Sequence, residues 1–162
     1  MAPWQHRKQD WLASLAQLKP DLIINTGDNL GHRDGLTGIR RAFEPLAGIP
    51  GVFVHGSNDV IGPSPRNPIR YFAGPSERPR ELNFLDTDAM DAYFTDELGW
   101  TSLNNAAARL TVAGNPLDLF GVSDAHCDWD RLEDLPGAID SLGPRPSDTT
   151  VLGSPTRRIS AY

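Results

Sequence analysis

Pro20-Asp21-Leu22-Ile23-Ile24-Asn25-Thr26-Gly27-Asp28-Asn29 is the stretch on which the fold of this chain turns. Its apolar centre, bounded by Pro20 and Gly27, suits a buried parallel strand better than an alternating antiparallel one. An Asp that follows a strand and a glycine stands at the carboxyl edge of a sheet, where open α/β folds collect ligands. On its N-terminal side, Trp11, Leu12, Leu15 and Leu18 fall at helical spacing within residues 5–18, and Lys19-Pro20 supplies the stop. On its C-terminal side, Leu36, Ile39, Phe43 and Leu46 repeat that spacing across residues 35–48, and Gly51-Val52-Phe53-Val54-His55 follows as a second strand. Helix, strand, helix, strand in this order predicts an α/β layer with right-handed crossovers.

Further along, residues 56–85 contain Pro63, Pro65, Pro68, Pro75 and Pro79 and read as a long loop, suited to a lid. Residues 86–98 read as a helix capped by Asp86 or Thr87. Residues 108–113 and 117–122 read as a β-hairpin around Gly114-Asn115. Periodicity is lost over residues 136–155, where only residues 149–152 hint at another strand.

The 162 residues suffice for one domain with a real core, and 39% hydrophobic against 22% charged residues excludes disorder along the whole length. Fifteen Lys and Arg against twenty-one Asp and Glu give a net charge of −6, which disfavours nucleic acid as a main partner. Cys127 is the single cysteine, so no intrachain disulfide can form, and the chain fits a reducing cytoplasm. No apolar segment follows the first charged residues and no window reaches the length of a membrane span, so a cytoplasmic location is expected.

Two strand ends carry the chemistry. Asp28 follows the first, and Gly56-Ser57-Asn58-Asp59 follows the second; neighbouring parallel strands bring these tips together. Carboxylate and amide oxygens at such a point suit hard divalent ions, and two such ions can clamp a phosphoryl group and generate hydroxide. The plainer reading is that Asp28 or Asn29 caps a turn, and that the second tip is a turn rich in Ser, Asn and Asp.

Together these windows resemble the calcineurin-like metallophosphoesterases, whose fingerprints run Asp-x-His, Gly-Asp-x-x, Gly-Asn-His-Asp/Glu, a lone His, and Gly-His-x-His. Asn25-Thr26-Gly27-Asp28-Asn29 matches the second, and Gly56-Ser57-Asn58-Asp59 the third loosely. The resemblance implies the layered fold of that family, hydrolysis of phosphate mono- or diesters in a small substrate, and two divalent ions (Mn, Fe, Zn or Mg). It makes Asp28 the carboxylate bridging both ions. Ser57 takes the place of the metal-binding Asn and Asn58 that of the catalytic His, although a one-residue adjustment makes Asn58 the ligand. Asn cannot serve as a general acid at neutral pH, so His55 is the substitute to consider, against its reading as a packed histidine.

The third strand end, Gly121-Val122-Ser123-Asp124-Ala125-His126, has an Asp-x-His spacing but stands far downstream of the family's own. Some bacterial branches of the family carry a similar Gly-x-Asp-Asp-x-His stretch beside the site, and that resemblance makes Asp124 and His126, with Asn29 and Asp59, candidates for the substrate side or for support of the ligands. Arg66 and Arg70 could fork onto a substrate phosphate or remain solvated.

The first strand of the family, with its Asp-x-His, has no counterpart, since Trp4 stands where the Asp of a pair ending in His6 would be. The match is lost after Gly153. The tail Ser154-Pro155-Thr156-Arg157-Arg158-Ile159-Ser160-Ala161-Tyr162 can be encoded so that the neighbouring frame reads Val-Thr-His-Ala-Pro-Tyr-Gln-Arg-Val, like the family's His-bearing segment. The expectation is a partial domain over residues 1–153 with a non-native, frameshifted tail over 154–162, or else a genuine basic tail. Such a chain should bind metal weakly and turn over little. Its open sheet edge, exposing residues 22–25 and 52–55, should invite self-association. The competing readings are a noncatalytic remnant or binding module without metals, and a flavodoxin-like nucleotide-binding domain, for which the sequence has no Gly-rich phosphate loop.

Overall fold

The computed structural model describes residues 1–63, 83–125 and 128–155. It is a mixed α/β structure with two small sheets. The helical periodicity of residues 5–18 becomes α1 (His6–Ser14), prolonged by a 3-10 turn over Leu15–Leu18. The next periodic stretch becomes α2 (Gly35–Phe43), again prolonged by a 3-10 turn, Glu44–Leu46. Between and after them lie β1 (Ile23–Asn25) and β2 (Gly51–Phe53), paired in parallel with Ile24 beside Val52. A short α3 (Ser57–Val60) follows β2. Then comes α4 (Thr87–Ala92), whose N-cap Asp86 accepts from the Ala89 N–H at 3.0 Å, and which runs on as a π turn over Tyr93–Glu97. The two-residue β3 (Thr101–Ser102) completes a parallel sheet of order β1-β2-β3.

Alternation along β2 explains the layering, because successive side chains leave a strand on opposite faces. Phe53 faces the helices and joins Ile39, Phe43, Met90, Phe94 and Trp100 in the larger core, where the Phe94 and Trp100 rings stack at 5.4 Å. Val52 and Val54 face the other way and pack with Leu103 and Leu119 against a second sheet. That sheet consists of the antiparallel pair β4 (Ala106–Val112) and β5 (Asn115–Val122), with β6 (Thr150–Pro155) parallel to β5. α5 (Leu135–Asp140) lies against β4, and Arg109 of β4 reaches the carbonyls of Leu142 and Pro144 at 3.1 and 3.0 Å just after it. Helices, sheet, sheet and helix are thus stacked in that order. Among the described residues no helix is long and apolar enough to cross a membrane.

Several expectations need correction. β1 is an edge strand with Ile24 43% exposed, so it is half open rather than buried. Exposure of residues 52–54 does not occur, because the second sheet covers Val52 and Val54 and each of the three is 1% exposed. The hairpin turns at Ala113-Gly114, one residue before the expected pair, since both adopt positive φ (48° and 81°) and Val112 pairs with Asn115. Three elements were not foreseen: α3, inside the expected loop of residues 56–85, and β3 are too short to carry a pattern, and α5 brings only Leu135, Ala138 and Ile139, all half-buried, to one face. β6 continues through Gly153 to Pro155; residues 156–162 lie outside the described residues. Most of the expected lid, residues 64–82, lies outside them too.

Candidate functional site

Three strand ends meet at one edge of the molecule. At the end of β1, Asn25 Oδ1 accepts from the Gly27 N–H at 3.1 Å, closing a turn in which Gly27 and Asp28 both adopt positive φ, 92° and 61°. The amide nitrogen of Asn25 is buried there with no partner among the described residues. The turn presses against the loop after β2. A Cβ on Gly27 would stand 2.3 Å from the Gly56 nitrogen, and one on Gly56 would stand 2.3 Å from Asp28 Oδ1. Only glycines allow two backbones this close.

Asp59 locks the junction. It is fully buried and accepts four backbone N–H groups: Asp28 at 2.7 Å, Asn29 at 2.5 Å, Leu30 at 2.8 Å and Gly56 at 3.0 Å. Burial pushes its carboxyl above the ordinary value, and the four N–H groups pull it back. Asp59 therefore ties the two loops together from inside and does not face a substrate. Asn29, 8% exposed, lies against it, its amide nitrogen 3.5 Å from Asp59 Oδ2.

The exposed groups are Asp28 and Asn58. Asp28 Oδ1 accepts from the Asn58 N–H at 3.1 Å, and the Asn58 carbonyl accepts from the Gly31 N–H at 2.8 Å. Both residues line a cleft of about 340 Å³ together with Trp4, Lys8, His32 and Pro63. His32 is held in place by an edge-on contact with Trp4, ring centroids 4.9 Å apart, and by the Asp34 N–H on its Nδ1 at 3.0 Å.

The end of β5 joins them through Asp124, 4% exposed, whose Oδ2 accepts from the Ser57 N–H at 2.7 Å. Ser57 thus sits between the second and third strand ends. His55 stands on the helix side of the sheet, its Nε2 2.6 Å from Asp91 Oδ1 on α4 and its ring 6.0 Å from that of Phe53. His126, Arg66 and Arg70 lie outside the described residues.

Three supporting residues escaped the sequence reading. Asn104 Oδ1 accepts from the His55 N–H at 2.7 Å and from the Ser123 hydroxyl at 3.2 Å. Asn105, at φ 51°, accepts from the Arg131 N–H at 2.9 Å and donates to the Trp129 carbonyl at 2.9 Å. The Asn-Asn pair before a strand was the available signal, since Asn tolerates left-handed turns and bonds to nearby backbone. Asp91 gave none, because its partner His55 is 36 residues away.

Compared with known proteins, the chain matches no family model, no curated protein and no solved structure.

The donors can be weighed against the expected pair of ions. Asp28 offers an exposed carboxylate and Asn58 an exposed amide oxygen, both suited to a hard ion. Both Asp59 oxygens are taken by backbone N–H groups, and one Asp124 oxygen is held by Ser57. Among the described residues no group of three or more His, Cys, Asp or Glu could hold a metal. These residues fit part of the shell of one divalent ion and do not fit a dinuclear centre.

Proposed function

We propose that this chain is a metallophosphoesterase-type domain of the calcineurin-like layered fold, binding a small phosphoester at its strand ends with low turnover. The observation that carries the reading is the junction of β1 and β2. It leaves Asp28, the residue of the best-matching fingerprint, exposed at the mouth of a cleft with Asn58 beside it. The stacking of helices on sheet on sheet agrees with the layered fold that the resemblance implies.

A divalent ion bound at such a site would offset phosphoryl charge and lower the pKa of a bound water. The chain's own residues do three things there. Asp28 offers its carboxylate to the ion, held on one oxygen by the Asn58 N–H. Asp59 fixes the backbone that aims Asp28. His55, engaged by Asp91, positions the tip of β2, and Asn58 can donate a hydrogen bond but not a proton. With so short a donor set no hydrolytic step is assigned.

Calorimetric titration of the full chain with Mn²⁺, alongside hydrolysis of bis(4-nitrophenyl) phosphate, tests this. Wild type should bind with a dissociation constant on the order of millimolar, as suits one carboxylate. Asp28→Asn should abolish binding, and both proteins should turn over little. Binding untouched by Asp28→Asn, or sustained metal-dependent hydrolysis by wild type, would overturn the proposal. A second reading, a noncatalytic binding module, is favoured by the shortage of donors among the described residues. It predicts no Mn²⁺ binding at all.

A further inference from the structure

Among the described residues no strand pairs with the edge of β1 away from β2, and apolar surface flanks it. Ile23 donates its N–H to the Pro50 carbonyl at 2.9 Å, and the Asn25 carbonyl accepts from the Val54 N–H at 3.0 Å. In a parallel ladder alternate residues face alternate sides, so the N–H and C=O of Ile24 point away from β2. Beside this edge runs a groove of about 540 Å³ whose walls include Trp11, Leu15, Leu18, Leu22 and Ile24. Trp11, Leu18 and Ile24 are 63%, 75% and 43% exposed, an unusual concentration of large apolar side chains at one place.

We propose that this edge is the interface of a two-fold homodimer, in which β1 pairs antiparallel with β1 of a second copy. Centred on Ile24, the pairing sets Ile24 against its own counterpart as a hydrogen-bonded pair and Leu22 against Thr26 of the partner copy. A two-fold axis normal to the sheet keeps the helices of both copies on one side, so the surfaces around Trp11 and Leu18 cover one another.

Charge selects the second copy as occupant. Lys19 and Asp21 stand at one end of the edge, while Asp28 and Lys8 stand at the other, where both border the groove and the strand-end cleft. Antiparallel pairing therefore brings the end of each copy that carries Lys19 and Asp21 to the end of the other that carries Asp28 and Lys8. Each end carries one acid and one base, so the edge complements itself. This inference does not depend on the phosphoesterase reading.

Sedimentation velocity on the full chain at high micromolar concentration should give twice the mass of one chain, with dissociation promoted by salt. Trp11→Arg and Leu18→Arg change only exposed side chains, and each should weaken dimerisation about tenfold or more. In a Cys127→Ser background, Ile24→Cys should be joined into dimers by a short bis-maleimide, and Ser141→Cys, exposed on the far side after α5, should not. A monomer at these concentrations overturns the proposal. So does a dimer indifferent to both Arg substitutions, open-ended growth beyond a dimer, or a monomeric chain that takes up an unrelated apolar peptide at this edge.

Discussion

Asp59 is a carboxylate with no cationic side chain among its hydrogen-bond partners in the described residues, satisfied by four backbone N–H groups from two loops. Hydrogen bonds to a charged group contribute more than neutral ones, and a buried donor stripped of its acceptor costs its full desolvation. Asp59→Asn turns an amide donor toward those N–H groups, and urea denaturation should register a loss of about 3 kcal/mol or more. Asp28→Asn, by contrast, changes an exposed side chain at a positive φ that Asn tolerates, so its stability should stay within about 1 kcal/mol of wild type. The two acids are adjacent in space and opposite in role. The sequence placed both at strand ends, and both candidate positions were readable from the Gly-Asp and Gly-Ser-Asn-Asp windows. Which acid faces outward was not readable, because burial of Asp59 depends on residues about thirty positions earlier.

At the scale of elements, the hairpin β4–β5 holds α5 through an ion cluster. Arg109 and Asp118 are direct cross-strand partners and pair through two nitrogens at 2.6 and 3.0 Å, and Arg145 adds a third contact at 3.0 Å from beyond α5. Arg109 first, then Arg145, hold the Asp118 carboxyl down to about 2 from an ordinary 3.8, against the opposing effect of its burial. A depressed carboxyl contributes stability above its unfolded value and loses it as pH falls through the folded one. Asp118→Asn should therefore be less stable than wild type at neutral pH, and the gap should close between pH 3.8 and about 2. Thermal melts of both proteins across that range check this; a gap independent of pH would exclude the ion cluster as its cause. The hairpin itself was legible from alternation around Gly114. Its register slipped by one because Ala113, an unusual residue at positive φ, takes the first turn position.

For the whole molecule, the second core decides whether the two sheets act as one body. Leu103, 1% exposed, leaves β3 and packs with Val52, Val54 and Leu119 between the sheets. Gly121 stands so close that a Cβ there would lie 2.6 Å from the Leu103 carbonyl oxygen. Leu103→Ala should cost about 2–5 kcal/mol, and because the cavity opens between the sheets, hydrogen exchange should rise in both of them together. Exchange rising in one sheet alone would mean that they are stabilised separately.

The sequence by itself determined the alternation of helices and parallel strands in the first half, the hairpin in the second, and the positions of the strand-end turns. Each rests on local physics: apolar period, caps, and glycines where φ must be positive. Only the tertiary structure decided that β1 is an edge, that a second sheet covers β2, and that Asp28 is exposed while Asp59 is buried and Asp124 nearly so. Those outcomes depend on contacts such as Asp28 with Asp59, 31 residues apart, and Ser57 with Asp124, 67 apart. A side chain's burial and partners are properties of the packed chain, and no window of neighbouring residues carries them.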